Sequence, residues 1–86
     1  MTPEQVRKAI EESLVQVAPD ADPSALAPDA DIRSTLELDS IDFLGFVEAL
    51  SGRVGRPIDE ADYPRLATMK RAVAFLAGRD LAPSTD

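Results

Sequence analysis

A serine between two acids is the residue of this chain best placed to do chemistry: Asp39, Ser40 and Asp42 stand within four positions. The chain contains no histidine and no cysteine, so it lacks the usual general base for a serine nucleophile and has no thiol of its own. The stretch also reads as the start of a helix, whose unpaired N–H groups and partial positive charge suit a phosphoester. Ser40 is therefore predicted either to serve as a helix cap or to accept a phosphate-linked group from another enzyme.

The composition limits what else the chain can do. Its 86 residues are enough for one small domain, predicted to span residues 1–86 with a flexible tail from about residue 80. Without cysteine there is no disulfide framework and no thiolate zinc site, and without histidine the commonest metal ligand is missing, so no metal site is predicted. Acyl or redox chemistry on this protein would require groups supplied from outside.

Charge is distributed unevenly along the chain. The net charge is −7, and residues 1–50 hold eleven acids against three bases. An acidic surface repels phosphate backbones, which argues against nucleic-acid binding and favours basic protein partners. No apolar run approaches the ~18 residues of a membrane span, and the first residues lack the basic and apolar parts of a signal peptide. The expected protein is a cytoplasmic monomer.

The first helix is predicted from about Pro3 to Val17. Thr2 can cap it, and Gln5 follows three residues later as in a capping box. Apolar residues recur along it at steps of three or four and form one stripe, and Pro19 prevents its continuation.

A long connection covers residues 18–35, where three prolines and four aspartates oppose a regular helix. A single turn fits at Pro23, because the aspartate before it can cap. Leu26 and Ile32 are expected to tie the connection to the core.

The helix that carries the serine is predicted to begin at Asp39 or Ser40 and to be capped by Gly52 at its end. Its predicted apolar face is wide, which indicates contact with more than one neighbouring helix. That face consists of Ile41, Phe43, Leu44, Phe46, Val47 and Leu50.

Two further helices complete the prediction. A short third helix runs from Glu60 to about Tyr63, where Pro64 cuts it off. Thr68 caps the last helix, and Gly78 ends it. Since no strand-like alternation is found, the predicted fold is all-α: a small four-helix bundle of three main helices and one short helix.

Three segments form a pattern that is specific when they are taken together. They are Leu36-Glu37-Leu38-Asp39-Ser40-Ile41-Asp42, Pro57-Ile58-Asp59 before the short helix, and Leu66-Ala67-Thr68-Met69 at the start of the last helix. With this pattern the chain resembles the acyl carrier proteins over nearly its whole length. Their usual Asp-Ser-Leu followed by an acid is matched with one conservative change, Ile41.

This resemblance implies that Ser40 is the attachment site of 4′-phosphopantetheine. A phosphopantetheinyl transferase would bind coenzyme A with Mg²⁺, the Ser40 oxygen would attack the β-phosphate, and adenosine 3′,5′-bisphosphate would leave. Acyl intermediates would then travel as thioesters on the arm between acyl-loading and acyl-processing enzymes such as synthases, ligases or transferases. The carrier itself is no enzyme, and its expected pathway is a specialised fatty acid, polyketide or other secondary-metabolite pathway.

The resemblance also implies two sets of binding residues. Partner enzymes are expected to dock on Asp39, Ile41, Asp42 and Glu48, of which Asp39 also caps the helix. An acyl pocket is expected to be lined by Phe43, Phe46, Val47, Ile58, Tyr63 and Leu66. The volume of the three aromatic rings in that set predicts little sequestration of long acyl chains, because interiors pack densely.

Two departures from the family pattern point to a specialised pathway. Glu37 stands where many members have glycine, and a positive φ there would cost glutamate more than glycine. Residues 39–56 carry only three acids against two arginines, so docking by an acidic helix should be weaker or differently directed.

Three alternatives remain at this level. An aminoacyl or D-alanyl carrier shares the fold and the arm, although the Gly-Gly-His-Ser approach of many aminoacyl carriers is not matched at Asp39. A helical interaction module without a prosthetic group is the second. The third is a calcium loop from Asp20 to Asp31, which Ala25 at its sixth position and two prolines disfavour.

Overall fold

The computed structural model describes residues 1–81, of which residues 79–81 are described by their backbone alone. Four α-helices and two 3-10 helices make up this part of the chain. The α-helices are α1 (Pro3–Val17), α2 (Ile32–Thr35), α3 (Ser40–Val54) and α4 (Met69–Leu81); the first 3-10 helix is Pro23–Ala25 and the second is Glu60–Leu66. The described residues form no strand, so the predicted all-α class is confirmed.

The three long helices enclose one apolar core. α1 packs against both α3 and α4, and the second 3-10 helix packs against α4. Every helix except the first 3-10 turn contributes a fully buried side chain: Val6, Ile10, Leu14, Ile32, Phe46, Leu50, Leu66 and Leu76. Apart from Ile41 and Leu44 of α3, the helical stripes predicted from the sequence face this core.

The capping box predicted for α1 is present. The Thr2 hydroxyl accepts a hydrogen bond from the Gln5 N–H at 3.1 Å, and the Gln5 side chain accepts one from the Thr2 N–H at 2.9 Å. At the other end of α1, Val17 lies against Gly45 of α3, where a Cβ would stand 3.2 Å from the Val17 side chain. The missing side chain at Gly45 thus allows the two helices to approach closely.

Backbone hydrogen bonds attach the long connection to the start of α4. The Ile32 N–H donates to the Ala67 carbonyl at 2.8 Å, and the Lys70 N–H donates to the Pro28 carbonyl at 2.9 Å. Leu26 and Ile32 are buried, as predicted. The short helix α2 was not predicted, because its four residues depend on this contact with a distant segment.

The predicted end of the serine-bearing helix is wrong by three residues. α3 continues through Gly52 to Val54 and ends at Gly55, which has a left-handed φ of 75° and donates its N–H to the Ser51 carbonyl at 2.9 Å. The Ser51 hydroxyl donates to the Arg56 carbonyl at 2.6 Å, which holds the turn after the helix. Gly55, and not the predicted Gly52, therefore supplies the αL position that caps the end of α3.

Two other helix ends also lie beyond their predicted stops. The second 3-10 helix passes through Pro64 to Leu66, since proline lacks only its own N–H and the Ala67 N–H still donates to the Pro64 carbonyl. α4 passes Gly78 and reaches Leu81, because glycine weakens a helix without ending it. Residues 80 and 81 of the predicted tail belong to α4, and the rest of that tail lies outside the described residues.

Two residues of the predicted inward face of α3 point outward instead. Ile41 is 80% exposed and Leu44 is 46% exposed, whereas Phe43, Phe46, Val47 and Leu50 are buried. With a turn of about 100° per residue, those four residues cluster on one side of the helix and Ile41 and Leu44 fall on the opposite side. The wide apolar pattern thus combines a core face with an exposed apolar face.

Candidate functional site

Ser40 is the first residue of α3, and its side chain is exposed. The Asp39 carboxylate caps the helix by accepting from the Asp42 N–H at 2.8 Å, and the Asp39 carbonyl accepts from the Phe43 N–H at 2.9 Å. Among the described residues, no acceptor is found for the N–H groups of Ser40 and Ile41. Two donors of the helix end therefore stay available beside the Ser40 hydroxyl.

The turn before Ser40 is built around a strained residue. Glu37 has a φ of 56°, the left-handed conformation that favours glycine. It follows the end of α2, and the Leu38 N–H after it donates back to the Arg33 carbonyl at 2.9 Å while the Leu38 side chain is buried. This is the hydrogen bond of a Schellman motif, so the turn keeps the geometry expected with glycine although the residue is glutamate.

Replacing Glu37 by glycine is expected to raise the free energy of unfolding by about 0.5–1 kcal/mol, because the left-handed strain of a side chain exceeds the extra entropy of glycine. Urea denaturation followed by circular dichroism measures this change. The matched control is Glu48→Gly on the exposed face of α3, where the same replacement should cost about 1 kcal/mol. Loss of stability in Glu37→Gly would contradict the strain.

One exposed face of α3 extends from Ser40. Helical geometry places Ile41, Leu44 and Glu48 on the same side as Ser40, and all four residues are exposed. Asp42 falls on another side, where it is half-buried and lines a surface cavity of about 380 Å³ with residues of the α1–α2 connection. The structure therefore brings Ile41 and Glu48 together with Ser40 and separates Asp42 from them.

Arg53 and Arg56, the two arginines within residues 39–56, bind to neighbouring helices. The Arg53 guanidinium donates to Gln16 at 2.9 Å and lies 3.5 Å from the Glu12 carboxylate, both on α1. The Arg56 guanidinium donates to the Leu76 carbonyl of α4 at 2.6 Å. Because both arginines face neighbouring helices, the acids near Ser40 are not neutralised by them.

The residues predicted to line an acyl pocket are mostly core residues. Phe43, Phe46, Val47 and Leu66 are buried, and Ile58 and Tyr63 are half-buried against the core. The Phe43 ring packs edge-on against Tyr63 at 5.3 Å between centroids and tilted against Phe46 at 5.8 Å. Phe43 and Tyr63 line a cavity that is open to the surface and measures about 280 Å³.

Sequence reasoning missed Leu44 and Arg33 near this site. Leu44 is a core residue in the sequence prediction. Its exposure becomes clear only when the structure shows which side of α3 faces the core. The Arg33 guanidinium lies 5.0 Å from the centroid of the Phe43 ring. One feature of the sequence could have drawn attention to Arg33: it is the single basic residue between Lys8 and Arg53.

Two acids of the calcium loop considered above, Asp22 and Asp31, have other partners. The Asp22 carboxylate accepts from the Ser24 hydroxyl at 2.6 Å. The Asp31 carboxylate accepts from the Ser34 hydroxyl at 2.7 Å and from the Ser34 N–H at 2.9 Å, and these bonds, aided by Arg33, lower the pKa of Asp31. Among residues 1–78, whose side chains the structure describes, no three acidic, histidine or cysteine side chains converge as metal ligands would.

Most of the chain matches a known protein family. The family model described as "phosphopantetheine attachment site" matches residues 5–76. The chain belongs to this family. Its members are carrier domains to which 4′-phosphopantetheine is attached covalently, so a prosthetic group is part of this protein's function. No match was found among curated proteins or among solved structures.

The end of α3 in this carrier domain fits such a group. A phosphoester on the exposed Ser40 hydroxyl would lie beside the free N–H groups of Ser40 and Ile41, at the positive end of the helix dipole. When bound, the group supplies a thiol on a flexible arm. In the described part of the carrier domain, no helix has the length and apolar character needed to cross a bilayer.

Proposed function

We propose that Ser40 bears the 4′-phosphopantetheine arm and that the protein is an acyl carrier. The observation that carries this proposal is the exposed Ser40 hydroxyl at the first position of α3, next to two unpaired backbone donors. A resident base is unnecessary, since a phosphopantetheinyl transferase would supply the catalysis. The chain itself catalyses nothing and presents tethered acyl groups to other enzymes at high effective concentration.

The proposed setting is a specialised fatty acid, polyketide or other secondary-metabolite pathway. A single carrier domain spans residues 1–86 and acts as a monomer in the cytoplasm, where coenzyme A is available to the transferase. Acyl-loading and acyl-processing enzymes are its further partners. The replacement of the usual glycine by Glu37 and the small number of acids in residues 39–56 support a specialised partner set.

The proposed docking face combines charge and apolar area. Asp39, Ile41 and Glu48 lie on or beside the exposed side of α3 around Ser40, and Leu44 adds apolar surface to them. Asp42 contributes its charge from the adjacent side of the helix. An exposed isoleucine beside acids fits a partner surface with an apolar pocket rimmed by basic residues.

The proposal is tested by intact mass after incubation with coenzyme A, Mg²⁺ and a phosphopantetheinyl transferase. The protein is expected to gain the mass of one phosphopantetheine group, and fragmentation is expected to place it on the peptide that contains Ser40. No gain with a transferase that modifies another carrier in the same buffer would refute the carrier function. A gain on a different serine would refute the assignment of Ser40.

Exchange of Asp39 for asparagine is expected to separate its two proposed roles. Asparagine caps a helix about as well as aspartate, so the free energy of unfolding should change by less than about 0.5 kcal/mol. The rate of modification by the transferase should fall, because the charge beside Ser40 is lost.

The control for this variant is Asp39→Ala, which removes both cap and charge and should cost about 1 kcal/mol of stability. Equal modification rates for Asp39→Asn and the native chain would show that Asp39 acts only as a cap. Initial rates by mass spectrometry and urea denaturation give the two readouts.

A further inference from the structure

Arg33 occupies an unusual position next to the aromatic rings of the site. Its guanidinium lies over the Phe43 ring at 5.0 Å from the centroid, and the Arg33 side chain is exposed. The described residues place no carboxylate within 4.0 Å of it. The nearest acid in sequence, Asp31, accepts two hydrogen bonds from Ser34 at one carboxylate oxygen, and its attraction to Arg33 acts over a distance longer than that of an ion pair. The fork of N–H donors on Arg33 is therefore held by stacking and remains available to an acceptor from outside.

A surface cavity lies next to this guanidinium. It measures about 280 Å³, and its lining comprises Asp31, Arg33, Phe43, Tyr63, Pro64 and Ala67. This volume lies just under the ~300–1,000 Å³ of typical ligand pockets, so it suits a small group and not a long chain. The cavity thus combines an aromatic wall with one cationic donor group and with the Asp31 carboxylate, one oxygen of which is bonded to Ser34.

The cavity is within reach of Ser40. Phe43 follows Ser40 by three residues on α3, which places it on a neighbouring part of the helix surface about 4.5 Å further along the axis. An extended phosphopantetheine arm is longer than this separation and can turn back along the helix. The Phe43 ring packs against the rings of both Phe46 and Tyr63, and their volume leaves less room there for a long chain.

We propose that this cavity holds the end of a short acyl group that carries a carboxylate, with Arg33 as the residue that selects it. The inference rests on the proposed attachment at Ser40. A guanidinium with a free fork forms paired hydrogen bonds with a carboxylate, and the ring beneath it keeps the fork in place. An uncharged acyl group of the same length would contact the same aromatic rings but would lack the ion pair with Arg33. Arg33 is a specificity residue and takes no part in forming or breaking the thioester.

The experiment compares two cargoes of equal length. A transferase loads the full chain from succinyl-coenzyme A or butyryl-coenzyme A: the Ser40 oxygen bonds to the β-phosphorus, the pyrophosphate bond of coenzyme A breaks, and adenosine 3′,5′-bisphosphate leaves. NMR then records contacts between ¹³C-labelled cargo and the Phe43 and Tyr63 rings, together with the shift of the Arg33 side-chain N–H. The succinyl group is expected to occupy the cavity about twofold to fivefold more than the butyryl group, the range for a partly exposed ion pair.

The variant Arg33→Gln is expected to remove this difference while leaving loading intact. Its matched control is Arg65→Gln, since the Arg65 guanidinium also lies over a ring, Phe75, at 5.5 Å but pairs with Asp62 and does not line this cavity. The control should keep the preference for succinyl. Equal occupancy of both cargoes in the native chain, or a preference that survives Arg33→Gln, overturns the inference. Absence of loading on Ser40 is a separate result, which refutes the proposed function and with it this inference.

Discussion

Ser40→Ala is expected to abolish the mass gain with coenzyme A and a phosphopantetheinyl transferase completely. The hydroxyl oxygen is the only part of the side chain that can form the phosphoester, and alanine lacks it. Alanine is a good helix former, and the cap of α3 comes from the Asp39 carboxylate and not from Ser40. The variant should therefore fold like the native chain, so that loss of modification reports on chemistry alone.

The matched control is Ser34→Ala. Like Ser40, Ser34 is an exposed serine that follows a helix-capping aspartate, in this case Asp31 before α2. The Ser34 hydroxyl donates to the Asp31 carboxylate. This variant should lose a little stability and keep the full mass gain. A modified Ser40→Ala protein, or an unmodified Ser34→Ala protein with a native circular dichroism spectrum, would contradict the assignment. Intact mass, recorded for both variants and the native chain over the same time course, distinguishes these cases.

Phe46→Ala is expected to have the largest effect on stability. Phe46 is fully buried and packs against Phe43, so truncation removes a large apolar surface and leaves a cavity. Such replacements cost about 3–5 kcal/mol, and small domains have only about 5–15 kcal/mol of stability in total. At roughly 4–8 °C per kcal/mol, the Tm should fall by more than about 12 °C.

Ile41→Ala on the same helix provides the contrast for this prediction. Ile41 is 80% exposed, so its truncation should change the free energy of unfolding by less than about 0.5 kcal/mol. It should instead slow modification by the transferase, because the apolar part of the docking face is reduced. Thermal unfolding and initial rates test both statements. Similar Tm values for the two variants would show that the burial assigned to Phe46 is wrong.

Local signals in the sequence were sufficient to predict where the two long helices α1 and α3 begin. α1 begins after Thr2 and α3 after Asp39, as predicted, and in both cases the capping hydrogen bond is present. A cap involves residues three positions apart, so its pattern can be read without knowledge of the fold. The position of Ser40 at the end of α3 follows from the same local pattern.

Features that depend on distant contacts were missed or misplaced. α2 is held by the hydrogen bond between Ile32 and Ala67, which are far apart in sequence. The choice between Gly52 and Gly55 as the end of α3 depends on the turn that Ser51 stabilises. The site was affected in the same way, because no local pattern reveals that Arg33 lies over Phe43.

The attachment of the long connection to α4 also determines how this part of the molecule opens. Backbone hydrogen bonds from Ile32 to Ala67 and from Lys70 to Pro28 join the two segments. Neither segment can therefore move away from the other unless these hydrogen bonds break. Their amide hydrogens should exchange with deuterium together, as one cooperative unit. Residues 28–32 should consequently resist cleavage by a protease, although their composition is that of an exposed loop.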